Sequence, residues 1–174
     1  IGVSADDFVL LSVGELIPRK NHEVIIRALS VLKQLDKLNH IEYVICGRGA
    51  YEADLRKLAE GLDVADHVHF LGYRNDISEI CNCADLFVFM SHQEGLPVEA
   101  MACGLPAVCS NIRGNTDLIE EGVTGLLANN TPEEVAQSIS KMKSDTALRN
   151  RVASAALQKI KQFDLSSVED EMSK

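Results

Sequence analysis

The chain has 174 residues, 46% hydrophobic and 25% charged, with a mean hydropathy of +0.01, the balance of a soluble globular domain and not of a disordered chain. No apolar run approaches the roughly 20 residues of a membrane helix, and 17 Lys+Arg against 26 Asp+Glu leave a net charge of −9, which gives a nucleic acid no basic field to bind. Cys46, Cys81, Cys83, Cys103 and Cys109 are odd in number and lie mostly in apolar segments, so they read as buried thiols of a reducing, cytoplasmic setting and not as a disulfide framework.

Residues 8–13 (FVLLSV) form a short apolar run stopped by Gly14, the pattern of a buried strand. Residues 22–35 place Val24, Ile25, Ala28, Leu29, Leu32 and Leu35 at helical spacing. A strand over 41–46 stops at Gly47 and Gly49, and a helix follows over 51–59. The pattern then predicts a strand at 68–71, a short helix at 76–82 for which Asp76 is a candidate cap, and a strand at 85–90. Residues 99–103 read as helical, 106–109 as extended, 116–121 as helical and 125–128 as a last strand. Helices over 132–142 and 146–162 close the chain, the first with Thr131 as N-cap and Pro132 at its first position.

Near-continuous apolar strands separated by amphipathic helices predict an α/β fold: a doubly wound parallel sheet, Rossmann-like, as one domain over residues 1–174. The sequence opens at Ile1 with no leader pattern and reads as a piece of a longer protein. In such sheets ligands bind beyond the carboxyl ends of the strands. After the first strand, residues 14–21 (GELIPRKN) offer a glycine turn, Arg19 and Lys20 ahead of a helix start, which suits an anion and equally an ordinary turn with solvated cations. Gly47-Arg-Gly49 allows a close backbone approach but lacks the third glycine of a dinucleotide fingerprint. The densest cluster follows the fourth strand, where Glu94 and Glu99 flank a Gly-Leu-Pro turn and could accept hydrogen bonds from vicinal hydroxyls, or serve as a loop acid and a first-turn acid.

Residues 91–97 (SHQEGLP) with 99–108 (EAMACGLPAV) resemble the signature of the family-4 (group 1) glycosyltransferases, the bacterial capsular, exopolysaccharide and lipopolysaccharide enzymes above all. Residues 14–21 match that family's phosphate loop, and 110–119 (SNIRGNTDLI) with 122–125 (GVTG) match the segment after the signature. The resemblance implies the C-terminal half of a GT-B fold, a nucleotide-sugar donor domain whose N-terminal acceptor partner lies outside this chain. It implies transfer with retention from a nucleotide diphosphate sugar, a UDP-sugar foremost, to a glycan or lipid-linked acceptor. Neither cofactor nor metal is expected, in keeping with the lack of an Asp-x-Asp pair. By the same resemblance Lys20, with Arg19, contacts the diphosphate beside Gly14 and Gly47, and Glu94 contacts the donor sugar. Gly95 and Leu96 offer amides, Glu99 holds the ribose, and Tyr73 and Arg74 lie by the base. Lys20 and Glu94 are the catalytic candidates. The expected partners are the donor and the acceptor, no nucleic acid, and a membrane at most peripherally. A non-catalytic nucleotide-binding module and a sugar-nucleotide epimerase are the alternatives.

Two departures from the family pattern stand out. Family members often carry Arg after the first glycine, where this chain has Glu15. The family's interval between its two glutamates is also longer than the Gly-Leu-Pro-Val found here. Losing about three residues from a helix that turns every 3.6 or so would swing Glu99 around its axis, so the expectation is missing residues, with Val98 and Glu99 farther apart than a bonded pair. Of the histidines, His67 and His69 share a strand face without an evident third metal ligand, and His92 lies beside Glu94, bordering the expected sugar pocket.

Overall fold

Successive side chains of a strand point to opposite faces, and here that alternation sorts the apolar residues into two cores. The computed structural model describes residues 3–93 and 98–172, with side chains to 162 in the last helix. Its strands are β1 (Phe8–Val13), β2 (Ile41–Cys46), β3 (Val68–Gly72), β4 (Leu86–Phe89), β5 (Ala107–Ser110) and β6 (Leu126–Ala128). Leu10, Tyr43, Ile45, Leu86 and Val88 pack on one face, whereas Leu11, Val44, Cys46, Phe87 and Cys109 pack on the other. A sheet buried on both sides must be covered by helices on both sides. Helices α1 (His22–Gln34), α2 (Glu52–Gly61) and α6 (Pro132–Ser144) cover the first core. The second lies under α3 (Ile77–Cys83), α4 (Val98–Ala102) and α5 (Asn115–Leu118). The last helix, α7 (Thr146–Met172), serves both: Leu148 and Val152 join the first core, Ala156 and Ile160 the second.

All pairings are parallel and the strand order is β3-β2-β1-β4-β5-β6, the doubly wound arrangement expected. The order reverses between β1 and β4, since the chain leaves β3 at one edge and re-enters beside β1. Thr131 caps α6 as expected, its hydroxyl accepting from the Glu134 amide at 3.2 Å. Three expectations are corrected. Asp76 precedes α3 without a cap hydrogen bond, because both its carboxylate oxygens accept from the Arg74 guanidinium, at 2.9 and 2.7 Å. The helix expected over 116–121 stops at Leu118, because Thr124 Oγ1 takes the Glu120 amide at 2.8 Å and Gly122 turns at φ +75°. Val98 and Glu99 are consecutive residues of α4, so no gap opens between them. Among the described residues no helix is long and apolar enough to cross a membrane.

The five cysteines are free thiols; Cys46, Cys81 and Cys109 are buried, whereas Cys103 is half-buried and Cys83 exposed. Burial raises the Cys46 and Cys109 thiols above their ordinary range.

Candidate functional site

At a reversal of strand order the loops leaving two adjacent strands diverge to opposite faces and open a crevice. Here Val13 and Gly14, at the end of β1, divide that crevice into two hollows. One, of about 550 Å³, is bounded by Glu15, by Cys46, Gly47 and Arg48 after β2, and by Tyr73, Arg74 and Ile77 after β3. The other, of about 700 Å³, is bounded by Lys20, by Phe87, Phe89, Gln93 and Glu99 of the β4–α4 region, and by Arg113, Gly114 and Asp117 after β5.

The dividing wall is main chain held by main chain. Gly14 N–H donates to Cys46 O at 3.0 Å, Leu16 N–H to Arg48 O at 2.8 Å, and Tyr51 N–H to Leu16 O at 3.0 Å. A Cβ on Gly47 would lie 1.9 Å from Gly14 O, and one on Gly49 would lie 2.1 Å from Leu16 O. The close approach that these glycines permit is therefore to the neighbouring loop, and Gly47 lines the hollow as part of that joint. Forcing a methyl group into such a contact costs about 1–3 kcal/mol. Gly47→Ala is expected to lose stability by that amount in urea denaturation; an unchanged midpoint would mean that the two loops part freely.

Lys20 ends a three-residue 3-10 turn, Pro18–Lys20, and Asn21 follows in the left-handed region at φ 55°. That turn sends the lysine stem past Gly14, where a Cβ would meet Lys20 Cδ at 3.8 Å, and brings Nζ to 6.0 Å from the centre of the Phe89 ring. The cation thus stands in the larger hollow, above the last residue of β4. Beneath the loop lies a buried polar chain. His22 Nε2 is 3.4 Å from Glu15 O and its Nδ1 is 3.4 Å from the Tyr43 hydroxyl. Tyr43 donates to Ser12 Oγ at 2.8 Å, and Ser12 donates to Val88 O at 2.6 Å. Burial, reinforced by the nearby Lys20 charge, pushes His22 down to about 4 and keeps the ring neutral near pH 7. Burial likewise raises the Tyr43 hydroxyl.

A second relay joins three loops. Arg19 O accepts from His92 N–H at 2.9 Å and from Ser91 Oγ at 3.4 Å; Ser91 O accepts from Ser110 Oγ at 2.7 Å. Asn115 Nδ2 then donates to Ser110 O at 2.9 Å. The loops carrying Lys20, Gln93 and Arg113 are thereby tied into one frame.

Of the residues singled out in the sequence, Gly14, Lys20 and Glu99 line the larger hollow, and Gly14, Gly47, Tyr73 and Arg74 line the smaller. Tyr73 is 66% exposed with the Arg48 guanidinium 5.2 Å from its ring centre, and Arg74 is engaged by Asp76. Arg19 is not among the described residues lining either hollow; its carbonyl serves the relay instead. The same holds for His92, whose amide is its contribution. Glu94, Gly95 and Leu96 lie outside the described residues. His67 and His69 flank Glu42 at the sheet edge, His69 Nε2 at 2.7 Å and His67 Nδ1 at 3.6 Å. Among the described residues no three His, Cys, Asp or Glu side chains converge as metal ligands. Sequence reasoning passed over Arg48, Gln93, Arg113 and Asp117, each of which lines a hollow. The signal for Arg113 was its place just after a predicted strand.

Comparison with known proteins bears on this crevice. The model of the family described as glycosyl transferases group 1 matches residues 1–159. The chain is 33% identical over 131 residues to the UDP-Gal:alpha-D-GlcNAc-diphosphoundecaprenol alpha-1,3-galactosyltransferase of Escherichia coli, a match covering 73% of this chain and 34% of that protein. It is 37% identical over 142 residues to the amylovoran biosynthesis glycosyltransferase AmsK of Erwinia amylovora, covering 75% and 34%. The crystal structure of Anabaena HepE in complex with UDP and glucose superposes with a TM-score of 0.88 at 27% identity, covering 97% of this chain and 48% of HepE. The chain thus spans about a third of these curated relatives and about half of HepE. It belongs to the group 1 glycosyl transferases.

Proposed function

We propose that this chain is the donor-binding half of a retaining glycosyltransferase that moves a sugar from UDP to a glycan or lipid-linked acceptor. The observation that carries the reading is the divided crevice at the β1/β4 reversal, with a lysine cation in one hollow and an aromatic–arginine rim on the other. A nucleoside diphosphate sugar has the matching parts: a flat base, a polyanion and a polyol. In this reading the base enters beside Tyr73 and Arg74, the ribose hydroxyls meet Glu99, and the diphosphate lies against Lys20 and the Gly14 turn. As the bond from the anomeric carbon to the β-phosphate oxygen breaks, negative charge grows on the departing diphosphate, and the fixed ammonium of Lys20 neutralises it. That charge supplies the role a divalent cation plays elsewhere, so no metal is required. Glu94 contacts the sugar, and the acceptor approaches from a second domain outside this chain.

Calorimetric titration of the chain with UDP, GDP and ADP tests this. UDP is expected to bind, equally with EDTA or with magnesium, while the chain alone transfers no sugar. Failure of all three nucleotides to bind, or robust transfer by the chain alone, would overturn the reading.

A further inference from the structure

We infer that Arg113 is the second phosphate-binding cation of this crevice, filling the role left open by Glu15 at the position after the first glycine. The inference rests on the donor-binding reading above and gives a role to an arginine of the segment that follows the signature. Four ionisable side chains are among the described residues bounding the larger hollow: Lys20, Arg113, Glu99 and Asp117. Without Arg113 that set carries a net negative charge and repels a diphosphate; with it the charges balance, and a guanidinium can grip two phosphate oxygens at once. Among the described residues Arg113 has no ion-pair or hydrogen-bond partner, so its donors stand uncommitted.

Its backbone is not a loose surface turn. The next residue, Gly114, adopts φ +98°, a conformation that side chains resist, and the following Asn115 is fully buried with Nδ2 bonded to both Ser110 O and Ser110 Oγ. Through Ser110 and Ser91 that frame reaches the carbonyl of Arg19, immediately before Lys20. The two cations are therefore mounted on one hydrogen-bonded support, from opposite sides of the β1/β4 crevice. Arg19, the other candidate for the missing charge, does not line the hollow.

Titration of the chain with uridine, UMP and UDP reads the contribution of the phosphates directly. Arg113→Ala is expected to lower UDP affinity roughly tenfold and to leave uridine affinity unchanged; Arg113→Lys, which keeps the charge and loses the fork, should recover part. Arg151→Ala, an exposed helix position, controls for net charge. Retention of the full UDP gain by Arg113→Ala, or its loss in Arg19→Ala instead, overturns the inference and leaves the donor-binding reading standing. Equal weakening of uridine and UDP by Arg113→Ala overturns it too, since the residue would then act through the fold. If the unaltered chain binds UDP no better than uridine, the donor-binding reading itself fails.

Discussion

Lys20→Ala is expected to reduce UDP affinity of the chain by roughly 10- to 100-fold, the worth of a charge-assisted hydrogen bond to phosphate. Under the proposed function, the same change in the full-length protein should lower kcat by about 10²–10³, the usual loss when one preorganised group facing a developing anion is removed. The asymmetry between the two numbers is the informative part. A lysine that merely attracts substrate would raise KM with kcat intact, whereas one that meets charge appearing during bond cleavage lowers kcat. The position is suited to the second role: Nζ stands 6.0 Å from the Phe89 ring centre on a backbone fixed by a short 3-10 turn and a left-handed Asn21. Thermal melting should change little, because the amine has no ion-pair partner among the described residues. A Lys20→Ala enzyme with normal kcat would remove Lys20 from the chemistry.

The second large effect is on stability and follows pH. His22 is buried and held at about 4, against about 6.5 in an unfolded chain. A base whose folded value is depressed binds more protons when unfolded over the interval between the two values, so stability falls as the solution becomes more acid. The contribution is full above about pH 6.5 and drains away toward pH 4, and a gap of that size corresponds to roughly 3 kcal/mol. The donor count pulls the other way and is outweighed. With the Tyr43 proton given to Ser12, a neutral ring can satisfy only one of its two neighbours, yet the Lys20 charge and burial together outweigh the gain from a second proton. Urea denaturation at pH 7, 6, 5 and 4 should show the loss, and His22→Gln should flatten it. A mutant that keeps the full slope would place the titrating group elsewhere.

Strands β1 and β2 were legible to the residue because each is an apolar run closed by glycine, and the second of those glycines, Gly47, is required by its contact with the loop after β1. Helix α6 announced itself through Thr131 and Pro132. The strand order was not legible, since nothing local in the sequence of β4 says that it pairs with β1 and not with β3. The early end of α5 was also hidden, because the competing acceptor, Thr124 Oγ1, comes from beyond the helix. At the site, glycines and cations next to predicted strands pointed to the crevice, but which cation faces it did not follow from adjacency. Arg19 and Lys20 are neighbours in the chain; the first lends its carbonyl to a relay and the second lines the hollow. Arg113 reaches the same hollow from a strand on the far side of the reversal.

The partition between the hollows is built from peptide groups, with Gly14 and Leu16 pinned to residues 46–51 through main-chain hydrogen bonds. Ligand preference therefore cannot drift by swapping side chains along that ridge without tearing it open. Under the proposed function, diversification is expected at the outer banks, around 73–74 for the base and around 113–117 for the anion and polyol. Relatives with different donors should then share an immobile spine and differ at those two shores, which makes them the places to begin when redirecting the protein to another sugar nucleotide.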